Sequence, residues 1–127
     1  MPMKFFLILL GVLILIVCSV NPIAKFLIKK GFENQGKPWA QEVVMTSARI
    51  QMLTSNEAAA RPVFESGLVA FPNYPKRDKV HYWIGRCYEK ERNKTMAKEW
   101  YERFLTYWPK HPWADLARRR ITDMETN

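Results

Sequence analysis

At 127 residues there is room for one small domain plus an appendage, and 48% hydrophobic with 25% charged residues is the composition of a folded chain, not a disordered one. The net charge of +8 divides evenly: +4 on 1–37, where five Lys meet one Glu, and +4 on 38–127, where fifteen basic residues meet eleven acidic ones. The basic excess is densest beside an apolar N-terminus, which suits anionic lipid headgroups and speaks against a uniform nucleic-acid-binding face.

The first predicted element is a membrane helix. Phe5–Val20 (FFLILLGVLILIVCSV) is sixteen residues without a charge, slightly under the roughly 17–25 apolar residues of a spanning helix. The helix extends through Asn21-Pro22 into Ile23, Ala24, Phe26, Leu27 and Ile28, with Lys25, Lys29 and Lys30 snorkelling to the headgroups. Residues 1–30 are thus assigned to a single transmembrane helix with a basic juxtamembrane end. Two other readings use the same residues. One is a cleaved signal peptide, with Met1–Lys4 as the charged start and Val17-Cys18-Ser19 as the cleavage site. The other is a lipoprotein signal ending at Cys18, although Val17 is bulkier than the small residue such sites carry. Lys25, Lys29, Lys30 and Lys37 follow the span against Lys4 and the α-amine before it. A positive-inside count therefore places the C-terminal part on the cytoplasmic side.

Gly31–Lys37 (GFENQGK) has the composition of a linker, and 38–127 that of a helical domain. Pro38 suits a first helical turn, and apolar residues recur at helical spacing from Trp39 to about Leu53. Thr54-Ser55-Asn56-Glu57 has the form of a capping box that starts a second helix, to about Phe71 before Pro72. Pro62 inside it predicts a kink or a late start near Arg61. Asp78 is the expected cap of a third helix to about Arg92, and Thr95 that of a fourth to Trp108. His111-Pro112 opens a fifth, about 112–124, with Trp113, Leu116, Ala117 and Ile121 on one face and Arg118, Arg119 and Arg120 towards its end.

Within this series one window is patterned. Gly85 and Tyr88 lie three apart, Ala97 follows Gly85 by twelve, Tyr101 follows Ala97 by four, and Pro109 follows Tyr101 by eight. These residues resemble the small-and-large signature of a tetratricopeptide (TPR) helical hairpin. The resemblance implies that Gly85 is the small residue where two helices cross and that Ala97 is the small contact returned by the second. Residues 41–74 align as a first repeat, with Ala48 for Gly85, Ala60 for Ala97, Phe64 for Tyr101 and Pro72 for Pro109, but with Gln51 in place of Tyr88. The second repeat is 78–111, and the turn Asn73–Arg77 is three residues longer than the standard register. The expected fold is all-α: a single transmembrane helix, then a short TPR-like array of two hairpins plus a solvating cap helix. Tyr82, Tyr107, Phe104-Leu105, His111-Pro112 and Ala117 make the stretch similar to the TPRs of bacterial envelope-assembly lipoproteins and the Tol-Pal coordinator. That similarity implies a bacterial inner-membrane location with the repeats in the periplasm, opposite to the charge count.

TPR arrays line their groove with the first helix of each pair. By that resemblance Arg49, Arg86 and Arg120 form a basic wall shared by Lys79, Tyr82 and Glu89, with forked donors for an acidic segment. The alternative is three solvated arginines, each paired with a local Glu. His81 reads as a packed helix residue, His111 as an N-cap and Cys87 as a buried small hydrophobe; with Cys18 they form no metal-ligand or disulfide spacing. The chain has no phosphate-binding loop, nucleophile elbow or zinc-protease motif, so neither an enzyme nor a cofactor is expected. Two functions follow. One is a membrane-tethered adaptor that binds or scaffolds other proteins. The other is a structural accessory subunit of a larger membrane complex, for which the aromatics Trp100, Tyr107, Trp108 and Trp113 would supply contacts.

Overall fold

The structure, a computed structural model, describes residues 2–126; Met1 and Asn127, the outermost residues of the expected anchor and helical domain, lie outside it. The chain is all-helical. α1 spans Pro2–Glu33, α2 Ala40–Leu53, α3 Glu57–Ala70, α4 Arg77–Lys90, α5 Lys94–Tyr107 and α6 Ala114–Thr126. Each helix packs on the next in sequence, α1 on α2 through to α5 on α6. α1 is long and apolar enough to cross a membrane.

The helices recur with one stagger. α2, α4 and α6 begin at 40, 77 and 114, each 37 residues after the last, and α3 and α5 begin at 57 and 94. The turns recur with them. Lys37, Tyr74 and His111 donate their amides to Asn34, Phe71 and Trp108 at 2.9, 3.1 and 3.1 Å, and each is followed by a proline, Pro38, Pro75 or Pro112. Those prolines stand two residues upstream of the helices they introduce, not at the first helical position. The stagger also gives α1 a second role. Its last part, 20–33, occupies the place that α3 and α5 hold in the hairpins. Ala24, Ile28 and Gly31 are buried against α2, and a Cβ on Gly31 would collide with Val44. Gly31, Phe32 and Glu33 therefore belong to the helix, and the turn proper is 34–39.

The turns inside the hairpins differ from the capping residues expected. Thr54 closes α2: its hydroxyl donates back to the carbonyls of Ile50 (2.9 Å) and Gln51 (3.1 Å) instead of capping α3. Ser55 then takes a left-handed φ of 61°, and the amides of Ser55 and Asn56 bond Met52 and Gln51. Arg92, φ 63°, does the same after α4, with Arg92 and Asn93 bonding Glu89 and Tyr88. Both are Schellman closures built without glycine, which hides them from a reading that looks for one. The side chain of Asn93, not Thr95, caps α5, accepting from the Met96 amide at 3.2 Å. Asp78 lies in the first turn of α4 and caps nothing; it accepts from His111 Nε2 at 2.9 Å. α3 begins at Glu57 and carries Pro62 in its interior, so no late start occurs.

The core runs through both hairpins. Ala48, Ala60, Phe64, Ala97 and Tyr101 are fully buried. At Gly85 a Cβ would lie 2.7 Å from the Tyr101 ring, so α4 and α5 approach too closely there for any side chain. Gln51 is also buried, and its Oε1 meets no hydrogen-bond donor among the described residues.

Candidate protein-binding groove

α2, α4 and α6 present one wall. Arg49 on α2 and Arg86 on α4 occupy the same place in the 37-residue stagger, and Asp123 is their counterpart on α6. Arg120 lies one turn earlier, in register with Trp83 and Thr46. The wall is therefore not a ladder of three equivalent arginines.

The side chains confirm different surroundings for each. Arg49 is exposed and lies over Trp83, its guanidinium carbon 4.5 Å from the ring centre. Lys79 sits over Trp113 at 5.7 Å, and Trp83 and Trp113 are themselves 6.3 Å apart. Neither Arg49 nor Lys79 has an ion-pair partner among the described residues. Together with Met45, Thr46, Tyr74, Lys76 and Trp83 they line a cleft of about 120 Å³. Lys76 is already paired with Glu42 at 3.4 Å. Burial, and then Glu42, push the Tyr74 phenol up, so it remains a donor.

Further along the wall Glu89 is the centre. It accepts from the Tyr101 hydroxyl at 2.8 Å and from Arg120 Nε at 3.0 Å, and Arg120 Nη2 meets its second oxygen. Arg86 lies 3.9 Å from the same carboxylate. Arg120 is thereby committed to joining α6 to α4, and its fork is occupied. Beside this cluster Arg92, Lys94, Asp123 and Met124 line a wider depression of about 460 Å³. Tyr82 is 8% exposed and packs between Tyr101, Phe104 and Trp113, so it supports the wall from inside.

Trp83 escaped the sequence reading. It had a signal: it lies three residues before Arg86, one turn away on the same helix face. Tyr88, the large residue expected of the repeat, donates to Glu65 at 2.6 Å while Arg61 lies over its ring and reaches Glu91 at 2.7 Å, tying α3 to α4. His81 is packed, as read: Nδ1 donates to the Arg77 carbonyl at 2.8 Å and the ring meets Trp100 and Trp108. His111 accepts the Trp113 amide on Nδ1 at 2.9 Å, so Nε2 carries the proton shared with Asp78. Cys87 is fully buried, and burial pushes its thiol up to about 12, away from thiolate chemistry. Compared with known proteins, the chain matches no family model, no curated protein and no solved structure.

Proposed function

We propose that this chain is a membrane-tethered adaptor of the TPR type, held by α1 and binding an acidic segment of another protein along the α2–α4–α6 wall. The observation that carries the reading is the pair of cations without carboxylate partners, Arg49 and Lys79, laid on the indoles of Trp83 and Trp113. An indole face pre-orders a cation and leaves its outer side open to a carboxylate. The stagger of 37 residues supports the array, and the uncharged Phe5–Val20 run supports the tether. Of the arginines, Arg49 is the recognition residue; Arg120 and Arg86 are engaged by Glu89.

The test is binding of a labelled Asp/Glu-rich peptide to the full chain in detergent. Arg49→Ala should weaken binding about tenfold, the worth of one charge-assisted contact, and flatten its salt dependence. Arg49→Lys should restore only part, since an ammonium cannot fork. Equal affinity for Arg49→Ala and parent at low salt would remove the groove.

A second reading, an accessory subunit of a membrane complex, is favoured by apolar side chains left open on the array: Leu53, Val69 and Tyr107 are each more than half exposed. Sizing after mild extraction separates the two. A subunit elutes in a stoichiometric complex that survives salt, whereas an adaptor elutes alone or with an exchanging client.

A further inference from the structure

We infer that one end of the helical array, the end bearing the α2–α3 and α4–α5 turns, lies on the membrane surface and docks on anionic phospholipid headgroups. This rests on the reading of α1 as the membrane anchor.

α1 leaves the bilayer towards Glu33, α2 runs back, and α3 leaves again. The turn at 54–56 therefore returns to the level of the chain at which α1 emerges. A contact fixes that level: Asn56 Nδ2 donates to Asn21 Oδ1 at 3.2 Å. By the same alternation the turn at 91–93 and the last turn of α6 lie at that end, while the turns at 34–39, 71–76 and 108–113 lie at the other.

Length then sets the depth. Phe5–Val20 makes roughly 24 Å of helix, against about 30 Å of hydrocarbon, so the membrane interface falls on the residues just after Val20. Those same residues begin the packing of α1 into the array: Val20 and Asn21 are half-buried and Ala24 is buried. No spacer separates the bilayer from the domain. α1 is one continuous helix across the junction, and Gly31 locks its far part against Val44.

The chemistry of the edge fits its place. Lys90, Arg92 and Lys94 are exposed and have no ion-pair partner among the described residues, whereas the neighbouring Glu91 is held by Arg61. Leu53 projects from the adjoining turn, 67% exposed. An apolar tip beside free cations suits an interface where acyl chains meet phosphates. Lys25 on α1, one turn past Asn21, adds to the same zone.

The experiment is amide hydrogen exchange on the full chain in nanodiscs of phosphatidylcholine alone or mixed with phosphatidylglycerol. The amides of 53–57 and 91–95 should exchange about tenfold more slowly on the anionic discs, while those of 71–76 and 108–113 stay the same. The triple variant Lys90→Gln, Arg92→Gly, Lys94→Gln should lose that difference. Glycine at 92 suits the left-handed backbone there, and unchanged exchange at the far turns reports that the variant is folded. If the chain resists alkaline extraction from vesicles yet shows no lipid-dependent change at 53–57 and 91–95, the surface docking is overturned and the anchor stands. If alkali strips the chain from vesicles, the anchor falls and the docking with it. Protection at the far turns instead would overturn this orientation.

Discussion

At the scale of single residues, Glu89 carries the most. Its carboxylate is the one acceptor that Tyr101, Arg120 and Arg86 share, and its side chain is only 15% exposed. Burial keeps Tyr101 protonated, pushing its phenol up and so preserving the donor that Glu89 needs. Glu89→Gln keeps the shape but removes the charge that two arginines oppose. We expect a loss of about 2 kcal/mol, because a part-buried charge-assisted pair becomes a neutral contact beside an uncompensated cation. Thermal melting of the full chain in detergent reads this. The same change frees Arg86 and Arg120 at the wall, so an acidic peptide should bind more tightly although the protein is less stable. A purely structural Glu89 would give the first effect without the second.

At the scale of elements, α1 and α4 illustrate two kinds of fit. α1 has two glycines in unlike surroundings: Gly11 meets nothing within 4 Å, while Gly31 faces Val44 and the Ala40 carbonyl. Gly31→Leu should force α1 from α2 and cost about 2 kcal/mol or more, as overpacking does, whereas Gly11→Leu should leave melting unchanged. Equal behaviour of the two would mean that α1 ends functionally before the array. On α4, burial lowers the pKa of His81 from its ordinary 6.5, the Arg77 and Arg103 charges add to the lowering, and the Arg77 carbonyl and Asp78 oppose it. The folded chain thus holds this imidazole neutral. Below about pH 6.5 the unfolded chain binds the proton more readily, so the His81 contribution falls as pH drops and is constant above. The melting temperature should decline from pH 7 to pH 5, and His81→Phe should shrink that decline. An unchanged decline would place the sensitivity in other groups.

At the scale of the whole molecule, the array is one-dimensional, each helix packing on its sequence neighbours, and this decides both what the sequence revealed and what it hid. The apolar run, the helix count and the small residues at 48, 85 and 97 were legible because they follow from periodicity and volume. The caps were not, because Ser55 and Arg92 reach the left-handed region without glycine and Thr54 spends its hydroxyl on the preceding helix. The pairing of Arg120 with Glu89 was hidden too, since the two are 31 residues apart and meet only across the folded array. The largest omission concerns 20–33. A glycine-containing, polar stretch beginning at Gly31 reads as a spacer, yet Ala24, Ile28 and Gly31 complete the core on the far side of α2. A linear array needs such a terminal layer, for an end helix left bare exposes its inner face. Cutting the chain at Pro38 would uncover Ala40 and Val44 and leave Phe71 without the stacked ring of Phe32, 6.2 Å away. Cutting at Asn21 would remove the apolar run and the four residues before it, and leave Ala24, Ile28 and Gly31 in place. Burial of Ile28, Phe32 and their partners is worth several kcal/mol at about 25 cal/mol per Å², and each kcal/mol shifts melting by about 4–8 °C in a domain of this size. A fragment of 38–127 should therefore melt more than about 10 °C below a fragment of 21–127 and expose surface that binds a hydrophobic dye. If the two melt together, the end of α1 is a tether and nothing more, and the hairpins hold themselves.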